Sequence, residues 1–149
     1  KSVIQSHFDY CSVVWGNTKK TNLDKLQILQ NRSLRAVLRV NYLFPTDLLY
    51  ASLNLDKLHI RRSKHLAQVM YQCVNHSAPP YLNELFTARQ SHYSTRSGDS
   101  QLNIIHPHTD HGKKRFIYQG ASFWNKLITH FPFNILLDTF KKHLHKLIK

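Results

Sequence analysis

Carboxylates are the first place to look for catalysis in this sequence. Group transfer assisted by paired metal ions needs two or three of them converging on one point. The acids are Asp9, Asp24, Asp47, Asp56, Glu84, Asp99, Asp110 and Asp138. None are adjacent, and none falls in a strand-turn setting that would pair it with another. Asp9, alone among apolar residues and beside Tyr10, reads as a hydrogen-bonded structural group rather than a catalyst. The chain has no glycine-rich phosphate loop and no Gly-x-Ser-x-Gly elbow. These absences argue against catalysis by this chain alone, and no cofactor is implied.

Metal chemistry has one candidate segment, His106-Pro-His108-Thr-Asp110-His111. Imidazoles and a carboxylate at that density can bind zinc or copper. The segment reads as a loop without a partner cysteine, so a polar loop is the preferred account. Cys11 and Cys73 are too far apart for a zinc-knuckle spacing and too few for a disulfide framework, which fits a reducing, intracellular compartment, nucleus or cytoplasm.

Cations carry the stronger signal. The 149 residues hold 21 Lys and Arg against 8 Asp and Glu, a formal charge of +13 before any of 11 histidines protonates. Such an excess repels itself in a compact fold and points to a polyanionic partner, nucleic acid ahead of membrane. In the stretch Thr21 to Val40, wound at about 100° per residue, Leu23, Leu26, Leu34 and Val37 share one side. Leu29, Leu38 and Val40 lie at its margins. Lys25, Arg32, Arg35 and Arg39 fall in a narrow arc opposite. Thr21 or Asn22 is the expected N-cap, with Asp24 in the first turn facing the positive end of the helix dipole. Arg61 and Lys64, with His65, form a second basic surface on a later helix. Lys113, Lys114 and Arg115 form a third group. Together these could make one track for phosphates, contacted through charge and largely without regard to base sequence. For any single basic helix the plainer account is a solvated face.

The elements that must position these residues read as mainly helical. Residues 2–15 carry apolar residues at helical spacing and predict a buried helix, broken by Gly16-Asn17. The basic helix ends near Asn41, Phe44-Pro45 enforces a turn, and Thr46 can cap a short helix from Asp47 to Leu53. Residues 56–75 predict a second long helix with an apolar face of Leu58, Leu66, Val69, Met70, Cys73 and Val74. Arg62 falls within that apolar arc, where it either snorkels to solvent or makes a buried pair. Ala78-Pro79-Pro80 ends this helix and starts a short one, Tyr81 to Phe86. The polar stretch 87–101 reads as a linker, with Arg89 and Arg96 as further phosphate candidates. Leu102 to Ile105 and Arg115 to Tyr118 predict a small two-stranded β hairpin that must pack on helices. A helix over Gly120 to Ile128 points Phe123, Trp124 and Leu127 inward. After Pro132 and the cap candidate Asn134 comes a last helix. Its apolar stripe is Leu136, Leu137, Phe140, Leu144, Leu147 and Ile148, with Lys142, Lys146 and Lys149 outside it. There is no internal repeat and no stretch of transmembrane length, and the N-terminus does not read as a signal peptide. The chain opens at Lys1 rather than Met in what reads as folded sequence, which points to a fragment or an incomplete gene model.

Several of these segments, taken in order, resemble one family. HFDYCSVVWGN (7–17) and LDKLQILQNRSLRAVL (23–38) are similar to the region following the polymerase palm in reverse transcriptases of non-LTR (LINE-type) retrotransposons, closest to the jockey kind. The likeness continues through LDKLHIRRSKHLAQVMYQCVNHSAPPYLNELF (55–86), STRS (94–97), GKKRFIYQGASFWNKL (112–127) and FKKHL (140–144). It covers nearly the whole chain. Ile128 departs from the pattern, in which a proline follows the Trp-Asn-x-Leu run. The resemblance implies that the first 40 or so residues include the thumb-like helices that hold a template–primer duplex, and that the remainder is the C-terminal extension. It also implies that the catalytic Tyr-x-Asp-Asp strand and the endonuclease domain lie upstream of this chain.

The expected fold is mainly α, with about five or six amphipathic helices and a β hairpin near 102–118. The expected organisation is a helical thumb-like region over 1–86, a linker over 87–101, and a hairpin plus two helices over 102–149. The expected function is non-catalytic binding of RNA, DNA or an RNA–DNA duplex as part of an RNA-directed DNA polymerase. The expected binding residues are Lys25, Arg32, Arg35, Arg39, Arg61, Lys64, Lys113, Lys114 and Arg115. The rival is a packing or protein-interaction module that docks on the polymerase domains. It predicts an exposed apolar patch around Phe8, Tyr10, Val13 and Trp15. A basic helix on anionic membrane is the weaker third option, because the apolar stripes are needed for the core.

Overall fold

The computed structural model describes residues 2–89, 101–130 and 136–148. Among them the chain is mainly α, with nine helices and no strand. It divides into two compact units, Lys1–Ser63 and Lys64–Ile148.

The first unit opens with α1 (Ser2–Asp9) and α2 (Ser12–Trp15), where the sequence predicted one buried helix. Cys11 is the reason for the break. Its backbone is left-handed (φ 48°), so the ladder stops at Tyr10 N–H to Ser6 O and restarts with Val14 and Trp15 donating to Cys11 O. The Tyr10 carbonyl left over is not wasted, because the Trp15 indole N–H donates to it at 2.7 Å. Nor is the segment buried: Val3, Tyr10 and Val14 are all about three-quarters exposed.

Next come α3 (Lys20–Leu38) and α4 (Thr46–Leu53). The N-cap position of α3 is Lys19, without a side-chain cap, so Thr21 and Asn22 lie inside the helix and Asp24 falls beyond its first turn. Thr46 likewise opens α4 instead of capping it, with Pro45 at the cap position. Leu34 is buried as expected, but Val37 is 58 % exposed and Gln30 takes an interior place at 3 %.

A glutamine can occupy that position because its polar atoms find partners, and a buried polar group without one is costly. The Tyr50 hydroxyl of α4 lies 2.8 Å from Gln30 Oε1 and 2.6 Å from Asn31 Oδ1, and accepts from Gln27 Nε2 at 2.6 Å. Gln27 Oε1 in turn accepts the backbone N–H of Leu58 at 3.1 Å, and Gln30 Nε2 donates to Asp56 O at 3.4 Å. Burial pushes the Tyr50 phenol up to about 12. An unfolded tyrosine ionises from about pH 10. The buried, neutral phenol therefore contributes fully below pH 10, and its contribution is lost as pH rises from 10 through 12. Urea unfolding across that range is expected to show a loss on the order of 2–3 kcal/mol, and Tyr50→Phe is expected to lack this step.

Helix α5 (Leu58–Val74) begins in the first unit and continues into the second. There Ala67 and Met70 pack with Leu102, with Ala121, Trp124 and Leu127 of α8 (Phe116–Leu127), and with Phe140 and Leu144 of α9 (Leu137–Leu147). Gly120 permits this closeness, since a Cβ there would stand 2.6 Å from Met70 Sδ. Two short helices, α6 (Pro80–Asn83) and α7 (Asp110–Lys113), and a 3-10 turn at Ile128–His130 complete the unit. In α9 the expected stripe is only half used: Phe140 and Leu144 are buried, while Leu136 is 80 % exposed. Pro132, Asn134 and Lys149 lie outside the described residues, as does most of the expected linker, Arg96 included.

The predicted hairpin is not formed. Leu102 makes an isolated antiparallel bridge with Ala88, supported by Arg89 N–H to Gln101 O (2.7 Å) and Asn103 N–H to Thr87 O (2.9 Å). Its own N–H and C=O meet the Asn125 side-chain amide at 2.8 and 2.9 Å. One amide on α8 thus supplies what a second strand would have supplied. Phe116 to Tyr118 belong to α8, because the apolar spacing Phe116, Gly120, Ala121, Trp124, Leu127 is helical throughout.

Candidate nucleic-acid interface

Lys25 and Arg32 stand seven residues apart on α3, a separation that returns to nearly the same azimuth about 10 Å further along the axis. Arg39 follows after another seven and closes the helix in left-handed conformation (φ 53°), its N–H bonded to Ala36 O and Arg35 O. All three are exposed, and none makes an ion pair among the described residues.

Arg35, the fourth cation of that arc, is used differently. It is half-buried, its Nη2 donates to Phe44 O at 3.3 Å, and its guanidinium carbon lies 5.7 Å from the centroid of the Tyr42 ring. It braces the turn that follows α3. Tyr42 and Leu43 stand exposed on that turn, and the sequence reading, which ended the helix at Asn41, passed over them. A large aromatic residue just before Phe44-Pro45, where turn formers are the norm, was the available signal.

The second basic surface does not form as read. Arg61 grips Asp9 of α1 with two hydrogen bonds, Nε to Oδ1 at 2.6 Å and Nη2 to Oδ2. Both side chains are about a quarter exposed, and the hydrogen bond to Asp9 raises the guanidinium pKa above its ordinary value. This bears out a structural role for Asp9. Lys64 is 6 % exposed and engaged within the fold. Among the described residues Arg62 pairs with no carboxylate. It lies 5.7 Å over the Trp15 ring with Nη1 buried and unbonded, and burial depresses its pKa.

In the second unit Lys113 is exposed but bonded to Asp110 at 3.0 Å, which lowers the Asp110 pKa. Lys114 is half-buried, and Arg115 is exposed at the N-cap position of α8. Lys25, Arg32, Arg35, Arg39 and Arg61 therefore belong to the first unit, and Lys64, Lys113, Lys114 and Arg115 to the second. Arg89, also in the second unit, is exposed with Nη1 3.4 Å from Gln101 Oε1.

The histidine segment makes local contacts. Thr109 caps α7 by accepting from Gly112 N–H at 3.1 Å, and His106 meets the Tyr118 ring edge to face at 6.4 Å. Among the described residues no three His, Cys, Asp or Glu side chains are grouped to hold a metal ion.

The apolar patch expected by the rival reading is present in altered form. Val3, Tyr10 and Val14 are the exposed residues, whereas Phe8, Val13 and Trp15 are half-buried. Nearby, a cleft of about 130 Å³ is lined by Val3, Ile4 and Phe8 together with Leu34, Val37 and Leu53. No described helix is long and apolar enough to cross a membrane. No protein-family model, curated protein or solved structure matches this chain.

Proposed function

We propose that this chain binds nucleic acid by its phosphate backbone, without chemistry of its own, as the thumb and C-terminal part of a non-LTR retrotransposon reverse transcriptase. The observation that carries the binding half of this reading is the row Lys25, Arg32 and Arg39, solvent-exposed and without ion pairs among the described residues, in a chain of charge +13. A protein that self-repels to this degree gains from a polyanion, because each neutralised phosphate releases condensed counterions. The family half rests on the ordered sequence likeness over residues 7–144. A thumb holds a duplex by shape and charge, which makes an RNA–DNA hybrid the natural ligand.

A salt titration with labelled RNA–DNA hybrid, duplex DNA and single-stranded RNA tests it. Three phosphate contacts alone give a slope of log K against log salt of about −2.7, or about a 40-fold loss of affinity between 50 and 200 mM. Binding of at least that steepness with preference for the hybrid is the expected result.

A second reading is favoured by one observation, the exposed Val3, Tyr10 and Val14 on α1 and α2. On that reading the chain is a packing module for the polymerase domains. A folded chain that binds no nucleic acid at low salt overturns the first reading in favour of the second.

A further inference from the structure

The turn after α3 is built in an unusual way. Phe44 N–H bonds to Asn41 O at 3.0 Å and Tyr42 N–H to Asn41 Oδ1 at 2.6 Å, which makes Tyr42 and Leu43 its two central residues. Glycine, proline, asparagine, aspartate and serine dominate such positions. Here two large side chains occupy them at 79 % and 81 % exposure. Folding gains nothing from that exposure, since neither side chain is buried by it.

Yet the tyrosine is held. The Arg35 guanidinium lies 5.7 Å from its ring centroid, within cation–π range, and is itself fixed by its hydrogen bond to Phe44 O. The ring is thus braced on a cation while remaining mostly open to solvent. Arg39, exposed, ends the helix two residues before the turn. A flat ring with a cation against it and a guanidinium beside it has the chemistry that recognises a nucleobase and its phosphate. The same flanking charge disfavours a purely apolar partner.

Lys25 to Arg39 spans about 21 Å of helix axis, which matches about six steps of a duplex strand at roughly 3.4 Å each. Tyr42 stands just past the end of that row.

We propose that Tyr42 is a stacking platform for an unpaired nucleobase, so that the chain distinguishes a duplex carrying a single-stranded extension from a blunt one. This rests on the phosphate-backbone reading above and names the ligand of that surface more closely.

The test uses the full chain and two RNA–DNA hybrids of equal duplex length, one blunt and one with a short overhang whose first unpaired base is 2-aminopurine. The native chain is expected to bind the overhang hybrid more tightly and to change the 2-aminopurine fluorescence on binding. Tyr42→Ala is expected to weaken overhang binding on the order of tenfold, to shift blunt binding by less than about twofold, and to abolish the fluorescence change. Tyr42→Trp is expected to retain all three native properties. Circular dichroism of both variants should match the native chain, because the replaced side chain is outside the core. If Tyr42→Ala weakens blunt and overhang hybrids alike, or neither, the platform is overturned while salt-dependent binding keeps the phosphate reading. Binding of neither hybrid at low salt overturns both. Tyr42-dependent binding to phosphatidylserine vesicles, with no overhang preference, overturns the platform in favour of a membrane contact.

Discussion

Reversing Lys25, Arg32 and Arg39 to glutamate together is expected to remove nucleic-acid binding almost completely while leaving helix content unchanged. Loss of three phosphate contacts alone lowers affinity about 500-fold at 0.1 M salt, taking about 0.9 log unit per contact for each tenfold change in salt relative to 1 M. Repulsion from the three new carboxylates adds to this. The slope of log K against log salt should flatten by about three. All three side chains are exposed and outside ion pairs among the described residues, so the fold has little to lose. Arg35 and Arg61 are deliberately left in place. Reversing Arg35 sets a carboxylate against the Phe44 carbonyl and the Tyr42 ring, and reversing Arg61 sets one against Asp9. Either change confounds folding with binding. Fluorescence anisotropy over a salt series, with circular dichroism alongside, reads both parts. Unchanged affinity would show that α3 is not the binding surface.

Phe140→Ala is expected to destabilise the second unit by about 3–5 kcal/mol. Helix α9 reaches the core through two fully covered side chains, Phe140 at 2 % and Leu144 at 1 % exposure. Phe140 also stacks on Tyr71 at 4.7 Å and lies 6.1 Å from Trp124, so its removal opens a cavity bounded by two aromatic rings. Leu136 and Leu147 are exposed, at 80 % and 46 %, and offer no substitute. Urea unfolding followed by tryptophan fluorescence gives the loss, and amide hydrogen exchange should report α9 opening ahead of α8. A loss under 1 kcal/mol would mean that α9 is held by something other than this contact.

The long helices were legible because their apolar residues keep a 3.6-residue period for several turns. Where a helix was interrupted or short, that signal failed. Nothing in the spacing of residues 2–15 announces a left-handed Cys11, since a non-glycine residue there is set by tertiary context. Phe116 to Tyr118 is too short a run to reveal its period, and Gly120 looked like a boundary when it is a point of close approach to Met70. The cations divide in the same way. Their arc on α3 follows from spacing alone, but Asp9 lies 52 residues from the Arg61 it engages. Which charges are consumed inside the fold is decided by partners that are remote in sequence. Gln30 teaches the converse, for its burial depends on a hydroxyl that arrives from α4.

That arrangement of Gln27, Gln30, Asn31 and Tyr50 has a consequence for how the helix is aimed. Leucine against leucine is nearly indifferent to small rotations, so a helix seated on aliphatic contacts alone can roll about its axis. Amides and a phenol are directional, and their bonds weaken steeply once the donor angle falls below about 120°. By joining α3 to α4 and to the first amide of α5, these uncharged groups fix the azimuth of α3. The bearing of Lys25 and Arg32 toward solvent is thereby set from the opposite side of the helix, by residues that carry no charge.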